Sequence, residues 1–216
     1  MRTALVAVIV FIRHGQTTTN ALGLLVGRGD PALTVLGERQ ARSLGDALES
    51  VHEVWTSPLS RARRTAELAW PHLTPFVREE FIEVDYGRWD GRPVSDVTGE
   101  KWRALEEQHD LAFDEGESLA DVDRRVHGAL DEVLGDDASY LHRAHEHLAI
   151  VSHVSPIKSA LTWALGVAGS VAWRTRLDNA SMTMISVRAG TPSLVHFNLV
   201  PRWGEDDEKQ RSPSAP

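Results

Sequence analysis

Hydrophobic residues along the chain form short unbroken runs separated by amphipathic segments. The first run, ALVAVIVFI, spans residues 4–12 and contains no polar residue. A second run, HLAIVSH, spans residues 147–153. Runs rich in Val and Ile without alternation are typical of strands buried on both faces of a parallel sheet. Both runs are therefore predicted to be central strands.

The amphipathic segments predict helices with recognisable starts. Thr34 precedes one of them as a favourable N-cap, and Ser118 with Asp121 forms a capping-box-like start for another. Pro58 is expected in the first turn of a third helix, a position that tolerates proline. The predicted helices span residues 34–48, 58–70, 118–134 and 156–165.

Three further segments complete the predicted sheet. VHEVWTS at residues 51–57 is a short strand, and residues 181–190 and 193–200 are two strands close enough to pair as a hairpin. Strands that alternate with helices predict a three-layer α/β sandwich with a mostly parallel central sheet. Residues 92–117 have weak periodicity and are predicted to form a partly helical excursion.

The whole chain is expected to form one folded unit followed by a tail. A single domain is predicted over residues 1–204, and the polar segment 205–216 is predicted to be disordered. The first hydrophobic run is too short to span a bilayer and has no small-residue cleavage site after it, so a cytoplasmic location is expected.

The charge balance and the cysteine content exclude several classes of function. The formal net charge is -8, which argues against general binding to nucleic acid or to an anionic membrane surface. The chain has no cysteine, so disulfides, zinc–thiolate sites and thiol catalysis are excluded. No G-x-G-x-x-G motif follows the first run, which argues against a dinucleotide-binding enzyme.

Polar side chains follow three of the predicted strands. Arg13, His14 and Gly15 follow the first strand, Arg61 lies one helical turn after the strand at residues 51–57, and His153 ends the third strand. Ligands of open α/β sheets bind beyond the carboxyl ends of the strands, so these side chains are expected to converge there.

Two arginines and two histidines at one spot would repel one another unless an anion lay between them. The guanidinium group presents a planar fork that matches phosphate oxygens. Gly15 allows the backbone to approach closely, and Asn20 adds an uncharged amide donor. The set therefore predicts a phosphoryl-binding site. His142, His145 and His147 do not share one helical face, and they are interpreted as a solvated turn rather than a metal site.

The ordered motifs resemble those of the histidine phosphatase superfamily, whose founding members are the cofactor-dependent phosphoglycerate mutases. The resemblance extends from about residue 5 to about residue 188, and it is carried by RHGQTTTN, LTVLGERQA, SPLSRARRTA, EVDYGRWDG, GES and VSH in this order. It implies a phosphoglycerate mutase-like fold of branch 1, a small phosphomonoester as the substrate, and no cofactor or metal. Dimers are common among such enzymes, but nothing in the sequence requires one.

The resemblance also implies a role for each side chain of the predicted site. His14 would be the nucleophile that becomes phosphohistidine, and it must be a neutral imidazole. Arg13, Arg61 and His153 would bind the phosphate oxygens, with Asn20 assisting. His153 is expected to work better as a cation, so the two histidines are expected in opposite protonation states.

The resemblance implies that Glu83, in the pattern Glu-x-x-x-Gly, is the general acid and base. The other branch of the superfamily uses an Asp directly after the second histidine, and that position is Val154 here. This difference supports Glu83. The competing acids in the same segment are Glu79, Glu80, Asp85 and Asp90.

Three departures from the mutases bear on the substrate. Val154 replaces a glycine that usually follows the second histidine, so a close contact between the phosphate and the backbone is in question there. Val26 occupies a position where the mutases bind substrate through Ser or Thr. The segment after Glu83 is shorter and more acidic than the basic segment of the mutases. Val26 indicates a different or more apolar substrate contact, and the short acidic segment favours a phosphatase. A mutase-type isomerase and a non-catalytic phosphate-binding domain remain as alternatives.

Overall fold

The computed structural model of the protein describes residues 6–135 and 147–201. The predicted tail at residues 205–216 lies outside the described residues, as do His142 and His145. In the described part of the chain, the strands are β1 (Val6–Arg13), β2 (Val51–Thr56), β3 (Phe76–Val77), β4 (His147–Ser152), β5 (Met182–Arg188) and β6 (Thr191–Leu199). The helices are α1 (Thr18–Ala21), α2 (Val35–Ala47), α3 (Ser60–Ala69), α4 (Gly99–Glu107), α5 (Leu119–Leu134), α6 (Val154–Leu165) and α7 (Ser170–Trp173).

The six described strands form one sheet in the order β3-β2-β4-β1-β5-β6. The pairs β3–β2, β2–β4 and β4–β1 are parallel, whereas β5 runs antiparallel to both β1 and β6. Five of the six strands therefore point the same way, and β5 with β6 is the predicted hairpin. The prediction of a mostly parallel sheet is confirmed.

Strand β1 contributes side chains to a separate core on each face of the sheet. Ile9 and Phe11 pack with residues of α5 and α6, whereas Val10 and Ile12 pack with residues of α2 and α3. All four side chains are completely buried. This arrangement explains why the first run has no polar alternation, and it confirms the three-layer sandwich.

Helix boundaries follow the predicted starts closely, with one correction. Ser118 and Asp121 form a complete capping box at the start of α5, and Thr34 accepts a hydrogen bond from the Gly37 backbone at the start of α2. The prediction that Pro58 lies in the first turn of a helix is wrong, because Pro58 precedes the N-cap residue of α3, which is Leu59. The helix begins later since Leu59 still has an extended backbone.

The predicted excursion at residues 92–117 contains a 3-10 turn at Val94–Asp96 and helix α4. Helix α4 packs on α7 through Trp102 and Trp173, whose ring centroids lie 5.8 Å apart. The excursion is joined to the loop after α1, because the Leu25 N–H donates to the Arg92 carbonyl at 2.8 Å. The excursion therefore forms one wall of a cleft at the carboxyl end of β1. Across residues 6–135 and 147–201, no helix combines the length and apolarity required to cross a membrane.

Candidate active site

The carboxyl ends of β1 and β4 bring His14 and His153 together although they lie far apart in the sequence. Arg13 is paired with Ser152 in the parallel register, and the His14 N–H donates to the Ser152 carbonyl at 3.0 Å. The two imidazole rings that follow have centroids 5.0 Å apart. Both rings are buried. The sheet therefore creates the predicted juxtaposition.

Hydrogen bonds on both ring nitrogens select one tautomer of His14. Nδ1 lies 2.7 Å from the Gly15 carbonyl oxygen, which can only accept, so Nδ1 carries the proton. Nε2 then accepts a hydrogen bond from Nε of Arg61 at 3.2 Å. Burial, with Arg61 and Arg13 adding to it, holds the pKa of His14 well below its usual value. The ring is therefore neutral, with its lone pair on Nε2.

A close approach of two backbones holds the segment that carries His14. A Cβ atom on Gly15 would lie 2.4 Å from the Gly37 carbonyl oxygen, and one on Gly37 would lie 2.1 Å from the Gln16 carbonyl oxygen. The Gly15 N–H also donates to Thr65 Oγ1 at 3.0 Å. Glycine is needed at both positions because any side chain would separate the start of α2 from the loop that carries His14.

Arg61 is almost completely buried and is held by two backbone carbonyls. Its Nη1 donates to Gly29 at 2.7 Å and its Nη2 donates to Gly27 at 2.9 Å. Asp30 lies 3.6 Å from Nη1. Burial lowers the pKa of Arg61 although Glu83 and Asp30 oppose that shift. The guanidinium group is thus oriented before any ligand arrives.

Arg13 is buried beside the same cleft, with part of its hydrogen-bonding capacity unused. Its Nη1 donates to the Leu177 carbonyl at 2.5 Å, whereas its Nε has no hydrogen-bond partner within the described residues. Burial lowers the pKa of Arg13 to about 10, so the group stays charged at neutral pH. A buried cation with an unpaired donor is suited to an anionic ligand.

His153 lies deepest in the site and differs from one expectation. Its Nε2 lies 2.7 Å from Ser57 Oγ, and its Nδ1 has no partner in the part of the chain that is described. Burial, followed by Arg61 and His14, holds the pKa of His153 well below its usual value. The expectation of opposite protonation states is wrong for the free site, because the surrounding cations and the loss of water disfavour both imidazolium ions.

Glu83 is buried and accepts hydrogen bonds from three backbone N–H groups. Oε1 accepts from Val84 at 2.8 Å and from Ser155 at 3.1 Å, and Oε2 accepts from Val154 at 3.1 Å. Val154 and Ser155 form the first turn of α6, where free N–H groups favour a carboxylate. The backbone N–H of Val154 is therefore used by Glu83 rather than being free for the phosphate.

The competing acids of this segment lie elsewhere. Glu80 forms an ion pair with Arg78, and Asp90 accepts from the backbone N–H groups of Gly27 and Gly29. Of the five acids considered for the role of general acid and base, Glu83 alone lines the cleft.

Asn20 lies at the mouth of the site with its two amide ends in different surroundings. Its Oδ1 accepts from the Thr17 backbone at 3.1 Å and from Asn179 Nδ2 at 3.3 Å. Its Nδ2 forms no hydrogen bond to any described residue, and the side chain lines the cleft. The NH2 group is therefore available as the uncharged donor predicted from the sequence.

The cleft continues from the histidines to an apolar far end. Val26 lines it, as the departure from the mutases predicts, and Trp102 and Trp173 belong to its wall. Trp89 packs against the same core cluster as these two tryptophans but does not line the cleft. No group of three His, Asp or Glu residues suited to a metal ion occurs among residues 6–135 and 147–201.

Several polar residues of the cleft were not predicted from the sequence, among them Tyr86, Lys158 and Asn179. Lys158 had a detectable signal, because it is the single charged residue in the otherwise uncharged segment VSPIKSALTWAL. Asn179 lies in the loop before β5 and had none. Its Nδ2 donates to the His14 carbonyl at 3.3 Å, a contact that depends on the antiparallel return of β5 beside β1.

Comparison with known proteins agrees with this geometry. The family model of the histidine phosphatase superfamily (branch 1) matches residues 9–200. Phosphoserine phosphatase 1 of Hydrogenobacter thermophilus is 33% identical over 208 residues, which cover 91% of this chain and 94% of that protein. A protein of Yersinia pestis named "Probable phosphoglycerate mutase GpmB" is 28% identical over 82% of this chain and 83% of its own length.

A solved structure of a mycobacterial glucosyl-3-phosphoglycerate phosphatase superposes with a TM-score of 0.77 at 25% identity, covering 90% of this chain and 99% of that one. The family model thus covers nearly all of the described residues, including the two strand ends that carry His14 and His153. The chain belongs to branch 1 of the histidine phosphatase superfamily.

Proposed function

We propose that the protein is a phosphatase that hydrolyses a small phosphomonoester through a phosphohistidine on His14. The observation that carries this proposal is the state of His14. Its proton is on Nδ1 against the Gly15 carbonyl, and its Nε2 lone pair faces Arg61 among buried cationic groups. A neutral imidazole held in this way has the nucleophile that phosphoryl transfer requires.

In the first step, Nε2 of His14 attacks phosphorus and the bond from phosphorus to the leaving oxygen breaks. The Arg61 Nε–H, which bonds Nε2 in the free site at 3.2 Å, is released as the new bond forms. It can then donate to a phosphoryl oxygen together with Arg13 and Asn20. Glu83, in its protonated form, gives its proton to the leaving oxygen.

In the second step, water attacks the phosphohistidine and Glu83 takes one proton from that water. The bond between phosphorus and Nε2 breaks, and inorganic phosphate leaves. Glu83 is thereby protonated again, and His14 returns to its neutral state. Glu83 is buried and hydrogen-bonded to the first turn of α6, which holds its carboxyl group beside the cleft and supports this role in proton transfer.

The charge of the transferring group is neutralised by protein side chains in this proposal. Arg13 and Arg61 supply two buried guanidinium groups, and His153 and Asn20 supply further polar nitrogens. These groups do the work that metal ions do in other phosphoryl-transfer enzymes. We therefore expect activity to persist after exhaustive treatment with a chelator.

Hydrolysis is favoured over isomerisation by the walls of the cleft. The mutases bind substrate through Ser or Thr at the position of Val26, whereas Val26 and Val154 offer apolar contacts beside the site in this protein. The names of two relatives support a phosphatase, and the name of a third supports a mutase. A purely phosphate-binding domain would not need the fixed tautomer of His14.

The test is to trap the phosphoenzyme. Incubation with a panel of phosphomonoesters, followed by rapid quenching, should give an acid-labile phosphoryl group on His14, located by mass spectrometry of peptides. Release of inorganic phosphate should accompany it, and His14→Asn should abolish both signals. Isomerised ester without inorganic phosphate would indicate a mutase, and unchanged turnover by His14→Asn would refute the mechanism.

A further inference from the structure

Lys158 lies in the candidate active-site cleft but has no role in the chemistry described above. It is on α6, one helical turn beyond the residues whose backbone binds Glu83, and it is only 8% exposed. Two charged groups act on it, Arg13 on β1 and Glu83 in the loop after β3, which respectively lower and raise its pKa. Lys158 therefore lies where a ligand in the cleft can reach it.

The ammonium group of Lys158 has no acidic partner in the described parts of the chain. Both carboxylates that line the cleft are used elsewhere. Asp123 lies 2.6 Å from His109 Nε2, and Glu83 accepts three backbone N–H groups. Burial is the main reason that the pKa of Lys158 falls to about 8, so the side chain still carries its proton at neutral pH. An unpaired buried cation is costly unless a ligand completes it.

Other polar side chains accompany Lys158 along the same face of α6. Ser155, Ser159 and Thr162 line the cleft at helical spacing, and Ser159 Oγ has no partner among the described residues. This polar stripe begins beside Glu83 at Ser155 and extends about two turns, roughly 10 Å, to Thr162, with Lys158 about one turn along it. The groups around it on the far side of the cleft are apolar, among them Leu177 and Trp173.

We propose that Lys158 is a specificity-determining residue that binds a carboxylate on the leaving group of the substrate. The proposal rests on the proposed phosphatase function and names its substrate class as phosphomonoesters of small hydroxy acids. One ammonium group in mostly apolar surroundings matches one negative charge. A second phosphoryl group would bring two negative charges, and it would leave the second without a partner. The spacing of one helical turn suits a carboxylate a few bonds from the leaving oxygen.

The test compares two phosphomonoesters that differ by the carboxylate alone, phosphoserine and phosphoethanolamine. We expect kcat/KM of the wild-type protein to favour phosphoserine by roughly 10- to 100-fold, the effect of one charge-assisted hydrogen bond. Lys158→Met should reduce this ratio to near one, and Lys158→Arg should restore most of it. Lys101→Met is the matched control, because Lys101 pairs with Asp114 outside the cleft lining and the ratio should not change.

The dissociation constants of the same two compounds should be measured in the His14→Ala background, where the ester stays intact. A selectivity ratio that Lys158→Met does not change, in kinetics or in binding, overturns the role of Lys158. Preference for a bisphosphate over phosphoserine also overturns it. Absence of turnover with every ester refutes the phosphatase function. In that case the ratio of the two dissociation constants still decides the role of Lys158. Thermal melting of each variant verifies that it is folded.

Discussion

Arg61 donates a hydrogen bond from Nε to Nε2 of His14 at 3.2 Å, the nitrogen proposed to attack phosphorus. Because Arg61 is itself held by the carbonyls of Gly27 and Gly29, the contact is built into the scaffold rather than made by chance rotation of a long side chain. The bond has two consequences. It keeps a proton off Nε2, and it places a guanidinium donor where we propose that the phosphoryl oxygens bind.

The first prediction concerns the pH dependence of turnover. The pKa of His14 is depressed by burial and then by Arg61 and Arg13, so the free enzyme keeps a neutral nucleophile well below pH 6.5. We expect kcat/KM, calculated on the dianionic ester, to stay level as pH falls through 6.5. Arg61→Gln should lower kcat/KM by roughly 10²- to 10³-fold. It should also raise the pKa of His14, which would move the acid limb of the pH–rate profile to higher pH.

Arg63→Gln provides the control for that experiment, because Arg63 is exposed on the same helix. It should change neither the rate nor the profile. An acid limb with an ordinary histidine pKa in the wild-type protein would contradict the depressed pKa of His14.

The second prediction tests Glu83 through the leaving group. An alkyl phosphate needs a proton on its leaving oxygen, whereas p-nitrophenolate leaves without one. Glu83→Gln should therefore lower the rate of phosphohistidine formation by roughly 10²- to 10⁴-fold for an alkyl ester and far less for p-nitrophenyl phosphate. Single-turnover measurements with both esters separate the two cases. Equal losses for both would indicate that Glu83 only supports the start of α6.

The third prediction concerns stability against acid. His14 and His153 both have a pKa well below 6.5 in the folded protein, whereas the unfolded chain has ordinary histidines. Below pH 6.5 the unfolded chain binds protons that the folded protein does not, so the free energy of unfolding falls as pH decreases. Each residue contributes a slope of up to about 1.4 kcal/mol per pH unit.

Urea denaturation at several pH values between 8 and 5 measures this slope. In the double variant His14→Asn with His153→Asn, the free energy of unfolding should depend much less steeply on pH, whatever its absolute value. A wild-type stability that does not change between pH 7 and pH 5.5 would contradict the neutral state of both rings.

The fourth prediction compares two glycines. Gly15→Ala places a methyl group 2.4 Å from the backbone carbonyl of Gly37, so it should lower the free energy of unfolding by about 1–3 kcal/mol and also displace His14. Gly128 lies on the exposed side of α5, where an added Cβ atom would meet nothing within 4 Å, so Gly128→Ala should stabilise by about 0.5–1 kcal/mol. Thermal and urea unfolding measure both, and a stabilised Gly15→Ala would contradict the close approach of the two backbones.

Much of the fold was predictable because it depends on local patterns. The unbroken apolar runs correspond to β1 and β4, and Ser118 begins α5 with the predicted capping box. The short helices α1 and α7 were not predicted, since four residues are too few for a periodic signal. The excursion at residues 92–117 also lacked periodicity, because its helix α4 buries only Leu105 and otherwise packs on α7 through Trp102.

By itself the sequence determined the residue types at the ends of the strands and their order, because the apolar runs that indicate the strands are local patterns. It therefore indicated Arg13, His14, Arg61 and His153 as one phosphoryl site. Only the tertiary structure decided the electrostatic state of that site. Burial and the proximity of two guanidinium groups neutralise both imidazoles, the first turn of α6 holds Glu83, and Lys158 is left without an acidic partner in the described chain. These properties depend on distances between distant segments, which a linear pattern does not contain.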